Sequence, residues 1–274
     1  MNNFKADLNI VLEAVRKASI KITKDFYEIE KLQISKKGVA NFVTSSDIAA
    51  EKTLINYLQK SRPQYCFLTE ESGFIPALQE NNNNDGIKYQ WIIDPIDGTS
   101  NFMHGLPYFC ISVGLAKIGK FESSIILGVI HNPIVNETFW AVKRNGAFLI
   151  DSLGIQRKMK VSPNNDYEQL ICAIQENCIS HHKLKNYQNY IQSKYVKQRI
   201  FGASALELAY LADGRINLLI QGKLNLWDYA AGLILVKEAG GVVRDLNLKD
   251  LDLNMQDGII AGNKTLLNDI EKNC

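Results

Sequence analysis

The sequence predicts a layered α+β protein, and three features predict it. Apolar residues recur at steps of three and four near the N-terminus. Short apolar segments separated by turn residues fill about 108–150. Strands alternate with helices after about residue 160. Phe4, Leu8, Val11, Val15, Ala18, Ile22 and Phe26 form one stripe, which places an amphipathic helix over about 3–30. A second helix fits 47–58, with Ser45 or Ser46 as its N-cap. Cys66-Phe67-Leu68-Thr69 and Gln90-Trp91-Ile92-Ile93 read as buried strands, each ending at acidic residues. Between them 72–88, with asparagines at 81–84 and then Asp85-Gly86, reads as a polar surface loop.

Strands are expected at 109–117, 124–131 and 138–143, with a turn at Asn132-Pro133 and a hairpin at Asn145-Gly146. The later alternation gives a strand at 170–175, helices at 181–193 and 204–212, and a strand at 216–220. A helix over 228–239 stops at Gly240-Gly241; a strand at 258–261 follows, and Asn263 caps a last helix over 264–271. No internal repeat or long linker interrupts this order. A single domain is expected, with an N-terminal α+β lobe over about 1–155 and a C-terminal α/β lobe over about 156–274.

The chain has 274 residues, 46% hydrophobic and 22% charged, with a net charge of +2. That balance gives no sign of an obligate nucleic-acid or membrane partner. No apolar run reaches the ~20 residues that span a bilayer. No signal-peptide pattern precedes Lys31, so a cytoplasmic location is expected. Cys66, Cys110, Cys172, Cys178 and Cys274 lack zinc-ribbon or redox spacing and read as thiols in a reducing compartment.

The chemistry concentrates around Asp94-Pro95-Ile96-Asp97-Gly98-Thr99-Ser100. An apolar strand delivers two carboxylates at its polar end, and Pro95 and Gly98 force a tight, non-helical backbone. Carboxylates three apart around such a turn can share one space. Hard divalent cations take oxygen ligands, and the turn can add a backbone carbonyl, that of Ile96. The amides and hydroxyls of Gly98, Thr99 and Ser100 suit phosphate oxygens. The plain alternative is a turn with solvated aspartates. Glu70-Glu71 ends the other acidic-tipped strand; if the two strands are neighbours, Glu70 lies beside Asp94 and the cluster needs a compensating cation. Asp47 and Asp228 alone read as helix-start acids, Trp227 as core, and His104 as a hydrogen-bonded structural residue.

Taken together, these segments resemble the inositol monophosphatase family. Residues 94–104, ending in His104 with Pro107 beyond, resemble its first signature. Residues 227–241, beginning Trp227-Asp228 and ending Gly240-Gly241, resemble its second. Phe42-Val43-Thr44-Ser45-Ser46-Asp47 and Leu68-Thr69-Glu70-Glu71-Ser72 match two smaller acidic segments in the expected order, and the similarity covers about 5–270. The form of the first signature is nearest to inositol monophosphatases and their bacterial SuhB-type relatives.

The resemblance implies a five-layer αβαβα sandwich, a homodimer, and Mg²⁺-dependent hydrolysis of a small-molecule phosphate monoester such as myo-inositol 1-phosphate, with sensitivity to Li⁺. It implies two or three Mg²⁺ per site. Glu70, Asp94 and the Ile96 carbonyl would hold one and Asp94, Asp97 and Asp228 a second, with Glu70 sharing a third. Asp47 and Thr99 would orient the attacking water, and the Gly98 and Thr99 amides would bind phosphate. Ser100 stands in place of a second threonine, and Gly202-Ala203-Ser204 matches a segment lining the substrate pocket. Lys36 matches a lysine near the phosphate, and Asn41 replaces an acid. Gln221 stands where many members carry a glutamate that contacts inositol, which leaves histidinol phosphate and nucleotide 3′-phosphates as alternative substrates. A SuhB-like regulatory role on the transcription and ribosomal RNA machinery, RNA polymerase included, is the reading from another class. No basic stripe interleaved with aromatics marks it.

Overall fold

The computed structural model describes residues 4–32, 36–79, 86–120, 122–174, 182–194, 196–251, 253 and 258–274, with the backbone alone at 30–32 and 36–44. Cys178, the asparagines at 81–84 and the side chains of Lys36 and Asn41 therefore lie outside the described residues.

The N-terminal stripe forms α1 (Lys5–Leu32), which packs on α2 (Lys36–Ser61). α2 begins well before residue 47, so Ser45 and Ser46 are helix-interior residues rather than caps. The Ser46 hydroxyl donates to Asp25 Oδ2 on α1 at 2.8 Å, so its polar group is satisfied across the helix pair. Buried Ala50, Leu54 and Leu58 continue the face that holds the helix.

β1 (Cys66–Thr69) turns back into β2 (Gly73–Ile75), a short strand inside the stretch read as loop. β3 (Lys88–Asp97) lies parallel to β1, so the two strand ends that carry acids are neighbours. After α3 (Thr99–Met103), a meander follows: β4 (Cys110–Ile118), β5 (Ser123–Asn132), β6 (Glu137–Val142), β7 (Gly146–Ile150) and β8 (Gln156–Lys158). The sheet order is β2-β1-β3-β4-β5-β6-β7-β8.

A second sheet is built from β9 (Ile171–Ile174), β10 (Lys197–Arg199), β11 (Leu218–Gly222), β12 (Val242–Asp245) and β13 (Gly258–Gly262), in the order β10-β9-β11-β13-β12. The edge strands β10 and β12 escape the sequence reading because each is short and β10 is wholly polar. Between the strands run α4 (His182–Ser193), α5 (Ser204–Ala212) and α6 (Leu226–Glu238), and α7 (Lys264–Asn273) follows the last strand. Asn263 caps α7 as expected, its Oδ1 accepting the Leu266 amide at 2.9 Å.

Three apolar cores separate five layers. One lies between α1/α2 and the large sheet, one holds α5 and α6 between the two sheets, and one lies between the small sheet and α4/α7. The αβαβα sandwich is thus present. α6 is apolar nearly all round because it is covered on both sides. It approaches β5 so closely that a β-carbon on Gly128 would sit 2.6 Å from the Ala231 carbonyl oxygen.

No described helix is long and apolar enough to cross a membrane. Cys66, Cys110 and Cys274 are free thiols.

Candidate active site

Asp94 and Asp97 point to the same side of the large sheet because of a β-bulge. Along a regular strand, residues three apart face opposite ways. Here Asp94 pairs with Ser112 and Asp97 with Cys110, so Asp94-Pro95-Ile96-Asp97 opposes one residue fewer on β4. Ser112 and Cys110 share a face, and both aspartates follow them toward α5 and α6. Ile96, between them, turns the other way into the α1/α2 core. Pro95 suits the bulge, since it has no N–H to leave unpaired.

Parallel pairing of Thr69 with Ile93 brings Glu70 to Asp94. The Glu70 amide bonds the Ile93 carbonyl at 3.2 Å, and the two carboxyl groups share a hydrogen bond. Asp228 enters from the first turn of α6, fixed by the Asn225 amide, which donates to its Oδ2 at 2.7 Å. It is a helix-start acid and a site acid at once.

The electrostatics record this crowding. Burial, then Asp97, Glu70 and Asp228, push Asp94 well above the usual carboxylate range. Burial and Asp228 push Asp97 up to about 7, against the opposing pull of the Leu206 and Ala205 amides. Burial and Glu70 push Asp228 up to about 6, opposed by the Asn225 amide. Asp47, 3% exposed on α2, is pushed up to about 8 by burial, then by Glu71, Glu70 and Glu51. Glu70 links the two groups, since it faces both Asp47 and Asp94.

Among the described residues no three acid, histidine or cysteine side chains close into a ready-made metal cage. The donor set nevertheless fits a hard cation. Asp94 Oδ1 and Asp47 Oδ1 are buried without a hydrogen-bond partner, and mutually repelling carboxylates are stabilised by positive charge. The Ile96 carbonyl accepts the Thr99 hydroxyl at 3.0 Å, so that hydroxyl points to Ile96 rather than to Asp47.

Gly98 has a φ of 91° and opens α3. A β-carbon there would lie 2.9 Å from Ala203 Cβ, 3.1 Å from the Tyr108 carbonyl oxygen and 3.3 Å from that of Gly202. Glycine is therefore required both by conformation and by space. Gly202 and Ala203 form the wall against it, and Ser204 follows at the first turn of α5. Ala203, at the N-cap of α5, offers no side-chain cap. Asp97 supplies one from outside: Oδ1 accepts the Ser204 amide at 3.1 Å, and Oδ2 accepts those of Ala205 at 2.8 Å and Leu206 at 3.3 Å. Ser100 is exposed, and its carbonyl bonds the ring Nδ1 of exposed His104 at 2.8 Å. Trp227 is partly buried against the central core.

Gln221, expected at the substrate, is 2% exposed, and its amide nitrogen donates to Glu207 Oε2 at 2.5 Å. Its nearest role is toward Glu207. Two acids of this region went unread in the sequence. Glu51, one turn after Asp47, accepts the Glu71 amide at 3.0 Å and the Ser72 hydroxyl at 2.5 Å, which fixes the Glu70-Glu71 turn on α2. Glu207 is pushed up to about 8 by burial and by Asp97. Its signal was an acid inside the otherwise apolar run 205–212.

The model of the inositol monophosphatase family matches residues 5–273. An inositol-1-monophosphatase of Caulobacter vibrioides is 37% identical over 259 residues, which cover 93% of this chain and 96% of that one. The Nus factor SuhB of Pseudomonas aeruginosa is 34% identical over 275 residues, 96% of this chain and 95% of that one. Among solved structures, the extragenic suppressor protein SuhB of Bartonella henselae superposes with a TM-score of 0.83 at 35% identity, over 98% of both chains.

Proposed function

The chain belongs to the inositol monophosphatase family and is a hydrolase of phosphate monoesters, and from that premise we propose that it cleaves a small polyol phosphate, myo-inositol 1-phosphate first, with Mg²⁺. The observation that carries this reading is the bulge in β3, which turns Asp94 and Asp97 onto one face beside Glu70 and Asp228. Glu70, Asp94 and the Ile96 carbonyl would hold one Mg²⁺ and Asp94, Asp97 and Asp228 another, with Glu70 shared by a third. Bound there, Mg²⁺ supplies Lewis-acid charge neutralisation for phosphoryl transfer.

The chain's own groups divide the remaining work. The amides of Gly98 and Thr99, with the Ser100 hydroxyl, bind phosphate oxygens. Thr99, whose proton is donated to Ile96, keeps lone pairs that accept a hydrogen of the attacking water. Asp47 Oδ1, buried and unpartnered, is the acceptor for that water's proton. Gly202, Ala203 and Ser204 form the leaving-group wall, which Gln221 reaches through Glu207. The same reading includes one phosphatase domain with lobes dividing near residue 155, a homodimer, a cytoplasmic location and inhibition by Li⁺.

Phosphate release measured over inositol, sugar, histidinol and nucleotide 3′-phosphates, with and without Mg²⁺, tests the proposal. Turnover of the inositol ester that disappears in chelator supports it. A preference for histidinol phosphate or a nucleotide would reassign the leaving group, and full turnover in chelator would remove the metal. The SuhB-named relatives favour a second reading, a regulatory protein on the transcription machinery. A pull-down comparing wild type with Asp97→Ala separates the two, because a partner kept by the inactive variant belongs to the binding role.

A further inference from the structure

Behind Asp97 lies a buried acid that the proposed reaction does not use. Glu207, 2% exposed on α5, accepts the Gly202 amide on Oε1 at 3.0 Å and the Gln221 amide nitrogen on Oε2 at 2.5 Å. Gln221 sits on β11, so the pair joins the central helix layer to the small sheet. The amides that follow Gly202 at the entry to α5, those of Ser204, Ala205 and Leu206, go to Asp97. Just before it, Asn101 Nδ2 donates to the Phe201 carbonyl at 2.7 Å. Residues 201–206 are thus pinned in sequence by Asn101, Glu207 and Asp97. The Gly202 carbonyl and the Ala203 side chain are also the groups that crowd Gly98.

We propose that Glu207, clamped by Gln221, is a positioning residue for hydrolysis. By holding the Gly202 amide it seats the 201–204 turn against Gly98 and the α5 amides on Asp97. The inference rests on the hydrolase reading above. It assigns Glu207 the work of a hydrogen-bond acceptor rather than a proton carrier, and it assigns Gln221 to the clamp rather than to the substrate. Leucine at 207 leaves the Gly202 amide unpaired. Glutamine at 207 keeps an oxygen for Gly202, and its amide can be met by Gln221 Oε1, which has no partner now. Glutamate at 221 removes the amide donor and leaves two buried carboxyl groups that meet only by sharing one proton. The exchange Glu207→Gln with Gln221→Glu restores one donor and one acceptor in reversed order.

The test is steady-state kinetics with Mg²⁺ on myo-inositol 1-phosphate and p-nitrophenyl phosphate, with circular dichroism as the fold control. Misplacement of catalytic groups predicts a kcat about 100-fold lower for Glu207→Leu, with KM held within roughly threefold. Glu207→Gln is expected to recover most of that loss. Gln221→Glu is expected to lower kcat, and the exchanged double variant to restore it by at least about tenfold over Gln221→Glu. If Glu207→Leu does not fold, Gln221→Glu against the exchange decides alone. Unchanged kcat in Gln221→Glu, failure of the exchange to restore it, or a loss in Glu207→Gln equal to that in Glu207→Leu would each overturn the proposal. A wild type that hydrolyses no ester overturns the hydrolase reading and this inference with it, whereas an active wild type with indifferent variants overturns the inference alone.

Discussion

Asp97 Oδ2 lies 2.8 Å from the backbone amide of Ala205, so a carboxylate at the end of a strand serves as the missing cap of a helix that begins more than a hundred residues later. The same group faces Asp94 and Asp228. Helix capping lowers its proton affinity while burial and its acidic neighbours raise it, and the net effect is upward. Stability and chemistry are therefore coupled at this residue, and substitutions at Asp97 and Asp94 should separate them.

Asp97→Asn keeps one acceptor oxygen for the α5 amides where the aspartate has two. It should cost roughly 1 kcal/mol of stability through the weakened cap and at least about 10³-fold in kcat. Asp94→Asn takes one acid out of the cluster it forms with Asp97, Glu70 and Asp228 and so relieves their crowding in the metal-free chain. It should abolish turnover to a similar degree yet melt above wild type in EDTA. Melting curves and phosphate-release rates on both variants check the pair of expectations, and a lower Tm for Asp94→Asn would contradict the crowding described here.

Gly98→Ala places a methyl group 2.9 Å from Ala203 Cβ at a φ of 91°. Strain and overlap together should cost about 1–3 kcal/mol. The displaced turn carries the proposed phosphate amides, so KM for the ester should rise as well. Denaturant unfolding and kinetics on the one variant measure both effects.

Asp47, Asp97 and Asp228 bind protons more tightly in the folded chain than at their ordinary value of 3.8, up to about 8, 7 and 6 respectively. Between the ordinary and folded values the folded state holds the extra protons. The stability they contribute is complete below the ordinary value and is lost as pH rises through the folded ones. The metal-free protein should therefore melt lower at about pH 8.5 than at about pH 5, and Mg²⁺ should raise Tm more at the higher pH. Scanning calorimetry in EDTA and in Mg²⁺ gives the comparison, and a metal-free Tm that climbs across this range would contradict it.

Glu51 holds the turn that carries Glu70, through the Glu71 amide and the Ser72 hydroxyl. Glu51→Ala leaves both donors without that partner and should cost about 1–3 kcal/mol, with a drop in kcat that exceeds any change in KM. Equal kcat in the variant and wild type would show that the turn holds without it.

The contrast between Asp97 and Glu51 explains how much of this site was legible. The segment 94–104 declares itself because strand, proline, glycine and paired acids crowd into a few positions, and each has a local physical meaning. Glu70 could be placed conditionally, because both acidic strand ends were visible and only their adjacency was unknown. Glu51 and Glu207 stayed hidden because an acid within a helix reads as a solvated surface group, and only tertiary packing buries these two. Ser46 misled for a related reason. A serine before an apolar run has the sequence form of a cap, but Asp25 on α1 satisfies its hydroxyl and the helix runs through it. The strands between 109 and 143 followed from local apolar runs bounded by turn residues, whereas the small edge strands β10 and β12 draw their order from neighbours distant in sequence.

The central claim is that Glu70, Asp94, Asp97 and Asp228 converge on divalent cations. An anomalous difference map from a crystal grown in MnCl₂ tests it most directly. The account predicts density bounded by Glu70 and Asp94, and further density bounded by Asp94, Asp97 and Asp228. Manganese bound elsewhere, with these four side chains free of it in a crystal of active enzyme, would contradict the account.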